Sequence, residues 1–94
     1  MRIRLTPRAS SHLLAAYDYL QSPSPAAAKA QLLRIFDAIE RLQKFAFSGR
    51  KGRIGETREL VVPGTPFIVA YAIDGQEIQG LAVLHGSQQW PESF

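Results

Sequence analysis

The sequence contains no cysteine among its 94 residues. Disulfide bonds, thiolate metal sites and cysteine nucleophiles are therefore excluded. It also has no long hydrophobic run: the apolar stretch 67–73 is far shorter than the ~20 residues that cross a bilayer. The first six residues alternate polar and apolar side chains, unlike the continuous hydrophobic core of a secretion signal. We therefore expect a cytoplasmic protein without a membrane segment.

Basic residues are missing from the last third of the chain. Residues 59–94 contain four acidic residues and no lysine or arginine, whereas residues 1–58 contain all 11 basic residues and four acidic ones. Five basic residues fall within 44–58, beside one acidic residue. This block favours an acidic partner, either nucleic acid or an acidic protein segment, although a solvated surface is the simpler interpretation. The candidate binding residues are Arg50, Lys51, Arg53 and Arg58.

The first half of the chain predicts one strand and two helices. Residues 2–6 alternate as a strand does, and Thr6-Pro7 has the composition of a helix start for a helix that reaches about Leu20. The segment Ser22-Pro23-Ser24-Pro25 then ends this helix and begins the next, with Ser24 as cap. The second helix carries an apolar stripe at three- and four-residue spacing, formed by Ala28, Leu32, Ile35, Phe36, Ile39 and Leu42.

The second half predicts a basic loop followed by three strands. Three glycines in 48–55 argue against regular structure there, and strands follow at 58–62, 67–73 and 77–85. The whole chain, 1–94, is then a single α+β domain of order β-α-α-β-β-β. We expect a helical hairpin packed on one face of a mainly antiparallel four-stranded sheet.

The turn signal Asp74-Gly75 predicts which side chains share a face of this sheet. A two-residue loop would pair Ile73 with Gln76 and Phe67 with Ala82. The helices would then cover the more apolar face, which carries Phe67, Val69, Tyr71, Ile73, Ile78, Ala82 and Leu84. His85 would lie on the other, open face at the end of its strand.

The face on which Arg58 lies depends on the length of the preceding turn. A three-residue loop at 63–65 would place Arg58 opposite Ala70, on the open face with His85. A four-residue loop would place it opposite Tyr71 on the covered face, where an unpaired guanidinium is costly. We therefore expect the three-residue loop, which brings Arg58 and His85 together.

The sequence pattern allows more than one role for several residues. His85 suits general acid–base work near neutral pH, or a hydrogen bond to backbone where its strand ends. Arg58 suits phosphate binding, or an ion pair with Glu56 or Glu77. With two histidines and no carboxylate cluster, we expect neither a metal site nor a cofactor, and His12 should be a surface residue. In the tail, Trp90 and Phe94 should pack on the domain.

The order of these segments resembles the RelE/ParE superfamily of toxins from type II toxin–antitoxin systems. The resemblance covers nearly the whole chain and rests on Ile39-Glu40-Arg41-Leu42, the Gly- and Arg-rich loop, and the segments 55–62, 67–71 and 83–85. Arg58-Glu59-Leu60-Val61, the strand ending in Tyr71 and Leu84-His85-Gly86 are more similar to the ParE branch. The RelE branch, which cleaves mRNA on the ribosome, would favour basic residues in place of Leu60 and Ile68, and arginine or tyrosine after His85.

The resemblance to ParE implies a toxin that inhibits bacterial growth by binding an essential target such as DNA gyrase. A cognate antitoxin would neutralise it in a hetero-oligomer, as in plasmid stabilisation systems, with Arg50, Lys51, Arg53 and Arg58 as target-binding residues. The alternative is a RelE-like, metal-free endoribonuclease that acts on mRNA at the ribosome. Arg58 and His85 would then be catalytic. The resemblance implies no cofactor and no membrane partner in either case.

Overall fold

Two helices cover one face of a five-stranded sheet in the computed structural model, which describes residues 1–21 and 24–94. The predicted α+β class is confirmed, with one strand more than the four expected. In chain order the elements are β1 (Arg2–Leu5), α1 (Pro7–Gln21), α2 (Pro25–Arg41), β2 (Arg50–Lys51), β3 (Arg58–Val61), β4 (Phe67–Asp74) and β5 (Glu77–His85). Neither helix is long and apolar enough to cross a membrane, judged over these described residues.

Both helices begin with the caps that the sequence predicts. The hydroxyl of Thr6 accepts a hydrogen bond from the amide of Ala9 at 3.1 Å. At the start of α2 the hydroxyl of Ser24 accepts from the amide of Ala27 at 3.2 Å, and Pro25 is the first helical residue. These bonds satisfy amides that have no partner inside the helix. The predicted break at Ser22-Pro23 lies outside the described residues.

The strands lie in the order β1-β5-β4-β3-β2. The first strand runs parallel to the last one, and every other neighbouring pair is antiparallel. The added strand β2 consists of two residues of the basic loop, which pair with the first two residues of β3. The sheet is therefore mainly antiparallel, as predicted, and part of the basic loop forms its edge.

The hydrophobic core lies between the helices and the covered face of the sheet. Its main buried side chains are Leu13, Ala16, Ile35, Ala38, Ile39, Val62, Phe67, Val69 and Val83. A second cluster joins Leu42 and Ala46 to Tyr71 and Ile78. The predicted stripe of α2 is wrong at Phe36, whose side chain is 43% exposed and faces the gap between the helices.

The hairpin between β4 and β5 is present, but its register differs from the prediction. Asp74 pairs with Glu77, so Gly75 and Gln76 form the turn, and Gly75 has a φ of 61°. Glycine is favoured at that first turn position because other residues adopt positive φ at a cost. This displacement alone keeps the predicted faces, because Ile73 pairs with Ile78 instead of Gln76 and a shift of two residues leaves each side chain on its face.

A β-bulge at Leu81 reverses the faces of the second half of β5. Gly80 pairs with Tyr71 and Ala82 pairs with Ala70, which leaves Leu81 as the extra residue. Because side chains alternate along a strand, one inserted residue moves all later ones to the opposite face. The predicted placement of Ala82 and Leu84 on the covered face is therefore wrong, and so is that of His85 on the open face.

The C-terminal tail covers the open face near these residues. Trp90 and Phe94 pack against a small buried cluster formed by Ala70, Ala82 and Leu84. Arg8 of α1 lies with its guanidinium 5.7 Å from the centre of the Phe94 ring. The predicted packing of both aromatic side chains on the domain is confirmed.

Candidate functional site

Arg58, the central candidate, lies on the helix-covered side of the sheet. It pairs with Tyr71, and Val61 pairs with Ile68. The amide of Val62 donates to the carbonyl of Phe67 at 3.0 Å, which closes a four-residue turn over 63–66. The predicted three-residue turn is wrong, and with it the placement of Arg58 on the open face.

Local contacts satisfy the Arg58 guanidinium in this position. Its Nη1 donates to the carbonyl oxygens of Gly49 at 2.9 Å and of Phe47 at 3.4 Å. Its Cζ atom lies 4.9 Å from the centre of the Phe47 ring. The guanidinium is therefore not the unpaired cation expected on the covered face, because carbonyl oxygens and an aromatic ring stabilise it. Arg58 therefore supports the loop after α2, and the described residues show no ion pair from it to Glu56 or Glu77.

Tyr71 on β4 fixes the same loop through its hydroxyl group. Its side chain is fully buried, and its hydroxyl donates to the carbonyl of Ala46 at 2.7 Å while accepting from the amide of Gly49 at 2.9 Å. Burial raises the pKa of Tyr71, although the Gly49 amide and the charge of Arg58 act in the opposite direction. A side chain at Gly49 would collide with this hydroxyl, since a Cβ atom would lie 2.5 Å from it. Two strand residues therefore hold the backbone of 46–49 in one conformation.

Arg50 and Arg53 converge on one buried carboxylate, that of Glu59. The side chain of Glu59 is 3% exposed and accepts from Arg50 Nη2 at 3.1 Å and from Arg53 Nε at 3.1 Å. The amide of Arg53 donates to it as well, at 2.7 Å. Burial tends to raise the pKa of Glu59, but these hydrogen bonds and the arginine charges outweigh burial and lower it. Glu59 pairs with Ala70, so this network lies on the open face.

The four basic residues predicted as one binding cluster are divided between the two sides of the sheet. Arg50 and Arg53 hold Glu59 on the open face, where Arg53 also stacks on the Trp90 ring at 3.7 Å. Lys51 pairs with Arg58 across β2 and β3, so both belong to the helix-covered side. Lys51 is exposed, and no ion pair involves it among the described residues.

His85 shares the helix-covered side with Arg58 but lies far from it. It pairs with Phe67, and the two rings meet edge to face with centres 5.8 Å apart. Phe67 and Tyr71, the partners of the two candidates, lie four residues apart along β4, which corresponds to about 13 Å. β4 also lies between the strands of Arg58 and His85. The structure therefore does not bring the two predicted catalytic residues together.

The hydrogen bonds of His85 fix where its ring carries a proton. Its Nδ1 accepts from the amide of Ser87 at 3.1 Å and lies 2.7 Å from the Ser87 hydroxyl. In the neutral ring the proton is therefore on Nε2. That nitrogen has no free lone pair with which to act as a base, so this arrangement does not favour His85 as a general base.

His12 is half-buried on α1, so its predicted surface position is wrong. Its Nδ1 accepts a hydrogen bond from the amide of Val83 at 3.1 Å, on the edge of β5 that β1 leaves free. His12 and His85 line the same surface cavity of about 450 Å³, between α1 and the end of β5. Burial, together with the nearby charge of Arg8, lowers the pKa of His12.

The His12 ring accepts the bond from Val83 in a partly buried position, and this burial makes stability depend on pH. The unfolded ring binds a proton near its ordinary pKa of 6.5, whereas the folded ring resists protonation. We therefore expect the free energy of unfolding to fall as the pH is lowered from about 7 to about 5. Urea unfolding across this range should show a smaller fall for His12→Asn, whose amide oxygen accepts the same bond without titrating. Equal slopes in both proteins would contradict this assignment.

Comparisons with known proteins agree on one family. Residues 3–90 match the family described as "ParE toxin of type II toxin-antitoxin system, parDE". The chain is 41% identical over 91 residues to "Putative toxin Y4kP" of Sinorhizobium fredii, covering 97% of this chain and 94% of that protein. The chain belongs to the ParE toxin family. Its fold is similar to a chain of the "Chromosomal ParDE TA system from P. aeruginosa", with a TM-score of 0.83, 28% identity and coverage of 90% and 95% of the two chains.

This ParE-family toxin exposes two phenylalanines that the sequence analysis did not single out. Phe45 and Phe47 follow α2, with 59% and 66% of their surface exposed. The missed signal is their position: they come after Leu42, the buried residue that caps the end of α2, and lie between Lys44 and Arg50. Large aromatic side chains inside a basic segment are typical of binding surfaces.

A second exposed apolar surface of the toxin lies between its two helices. This helix groove, of about 550 Å³, is lined by Leu5, Ser10, Leu13, Leu14, Tyr17, Leu32 and Phe36. Leu14 is 70% exposed and Phe36 43%. Among the described residues no charged side chain lines the groove, so the groove suits an apolar stripe on a partner.

Proposed function

We propose that this protein is the toxin of a type II toxin–antitoxin pair and inhibits bacterial growth by binding an essential target, with DNA gyrase as the candidate. The observation that carries the proposal is the family match over residues 3–90, together with the fold similarity to a ParDE system. The mechanism is binding rather than catalysis. In support, Arg58 and His85 lie apart, and Arg58 is engaged by backbone carbonyls.

We further propose that a cognate antitoxin neutralises the toxin by laying an amphipathic segment in the helix groove. The family to which the chain belongs is named for paired systems, which supports such a partner. The groove is apolar and borders Leu14, which is the most exposed large apolar side chain of the described residues. A helix with apolar residues three and four positions apart would bury these side chains.

Expression of the chain alone in a bacterial host tests the toxin assignment. We expect growth to stop on induction and to resume when an adjacent reading frame for an antitoxin is expressed with it, and the two proteins should purify together. Normal growth despite soluble, folded protein would contradict the assignment. Gyrase is tested separately with purified enzyme and relaxed plasmid. Undiminished supercoiling in the presence of excess toxin would exclude gyrase as the target but leave the toxin assignment in place.

The antitoxin site is tested by substitution within the groove. Phe36→Ser should weaken antitoxin binding by about tenfold or more, because the lost ring belongs to the centre of the proposed interface. Leu33→Ser is the matched control, since Leu33 is 54% exposed on the same helix but does not line the groove. Equal weakening by both substitutions would argue against the groove as the site.

A further inference from the structure

The two exposed phenylalanines belong to a surface beside the edge of the sheet, where Phe45 lines a groove together with Arg41 and Val61. We name this surface the loop patch; it consists of Phe45, Phe47 and Val61 with the flanking cations Arg41, Lys44 and Lys51. Its three apolar side chains are 59%, 66% and 49% exposed. The three cations are exposed and form no ion pair among residues 1–21 and 24–94.

Four hydrogen bonds hold the loop backbone in the conformation that exposes these rings. The Tyr71 hydroxyl holds Ala46 and Gly49, and the Arg58 guanidinium holds Phe47 and Gly49, so four bonds fix the loop backbone. With the backbone held in this conformation, the side chains of Phe45 and Phe47 are exposed. A rigid loop loses little conformational freedom on binding, which is the property of a preorganised docking surface.

The positive charge around the rings indicates that the partner carries negative charge. Residues 41–55 contain five basic residues and no acidic one. Arg50 and Arg53 share the single carboxylate of Glu59, whereas Arg41, Lys44 and Lys51 form no ion pair among the described residues. An anionic partner gains attraction from all three without having to displace an existing ion pair.

The groove beside Phe45 indicates which chemical class of partner the patch binds. This loop groove, of about 390 Å³, is lined mostly by apolar side chains, namely those of Ala38, Phe45, Leu60, Val61 and Pro63, and also by Arg41 and Ser48. A nucleobase there would lose hydrogen bonds at its polar edges, for which Arg41 and Ser48 offer few replacements. A leucine or phenylalanine side chain loses none. The groove therefore favours a protein partner over a nucleic acid.

We propose that the loop patch binds an acidic protein segment that inserts one apolar side chain into the loop groove. The inference rests on the proposed function in one respect, that this segment belongs to the target of the toxin. The loop patch is separate from the helix groove: Phe36 of the helix groove and Ala38 of the loop groove point about 160° apart around α2. The toxin can therefore contact target and antitoxin on different sides of one helix.

Two labelled probes test the proposal by fluorescence anisotropy. The first is a short peptide rich in aspartate and glutamate that carries one leucine and one phenylalanine, and the second is a single-stranded DNA oligonucleotide of similar length. We expect the peptide to bind the wild-type protein more tightly than the oligonucleotide does. Its affinity should fall by about tenfold or more in Phe45→Ser and in Phe47→Ser, and less than about twofold in Leu33→Ser. Replacing the apolar residues of the peptide by serine should have the same effect as the phenylalanine substitutions.

Each contrary result overturns the proposal. Absence of peptide binding, equal affinity in the phenylalanine and Leu33 variants, or tighter binding of the oligonucleotide would each do so, and the last would assign the patch to nucleic acid. Circular dichroism confirms folding of every variant. Growth assays then separate the two proposals: loss of toxicity in the phenylalanine variants supports the target role. A wild-type protein that binds the peptide but does not stop growth contradicts the proposed function alone.

Discussion

Replacing Tyr71 with phenylalanine is expected to lower the free energy of unfolding by about 3 kcal/mol. The lost hydroxyl leaves the buried carbonyl of Ala46 and the buried amide of Gly49 without partners. An unpaired buried group costs about 1–3 kcal/mol, so two such groups add to about this value. Thermal or urea unfolding of the variant measures the change.

Tyr17→Phe is the control for Tyr71→Phe. The hydroxyl of Tyr17 makes no hydrogen bond within the described part of the chain, and its loss should change the free energy of unfolding by less than about 0.5 kcal/mol. If Tyr71→Phe were as mild as the control, the loop would not depend on this hydroxyl. The variant should also weaken peptide binding at the loop patch, because the loop that presents Phe45 and Phe47 loses two of its four bonds.

Replacing Glu59 with glutamine is expected to lower the free energy of unfolding by about 2 kcal/mol. The neutral amide cannot serve both arginines, and its NH₂ group faces one of them. The cost stays moderate because Arg50 and Arg53 are 56% and 45% exposed, so water can solvate the cations that are set free. Glu77→Gln is the matched control, since its partner Arg2 is 85% exposed and the ion pair is 3.4 Å long.

The same substitution should change the response to acid. The pKa of Glu59 is lower in the folded protein than its ordinary value of 4.5, so its charge stabilises the fold above that pH. This stabilisation is lost as the pH falls through the folded pKa. Urea unfolding from neutral to acidic pH should therefore show a smaller loss of stability for Glu59→Gln than for the wild type. A larger or equal loss in the variant would show that Glu59 is not held ionised by its arginines.

Elements and caps of this fold were predictable from the sequence, because short-range signals determine them. Thr6 and Ser24 are typical helix-capping residues and predict where the helices begin. The three- and four-residue spacing of Ile35, Ile39 and Leu42 predicts which side of α2 packs in the core. The turn containing Gly75 likewise depends on local chain geometry. Each of these features involves residues close together in sequence, so the local order of residues is enough to predict it.

The faces of the sheet were less predictable, because one inserted residue reverses them. The bulge at Leu81 and the fourth residue of the turn at 63–66 each reverse the alternation of side chains between the two faces. For this reason the predicted faces of both Arg58 and His85 are wrong. A glycine within a strand is a known signal of a bulge, and Gly80 provided it. The need for glycine at position 80 is visible only in the three-dimensional structure, where a Cβ atom on Gly80 would lie 2.6 Å from the side chain of Leu5.

The candidate site depended on contacts that no short-range pattern reveals. Glu59, which directly follows the basic block in the sequence, forms ion pairs with two of the four predicted binding residues, and the tail residue Trp90 stacks on one of them. The guanidinium of Arg58 binds a loop that lies nine to eleven residues before it in the chain. Charge counting could predict the sign of the surface, but not which cations were free.

The pairing of the first strand with the last one determines when this protein can fold during synthesis. Arg2 lies opposite Glu77, so β1 has no partner until nearly the whole chain has been translated. The helical hairpin forms from local contacts, whereas Ile3 and Leu5 stay unpaired until β5 emerges. A chain truncated before residue 77 lacks the strand that joins β1 to β4, and it should be degraded instead of accumulating as an active fragment.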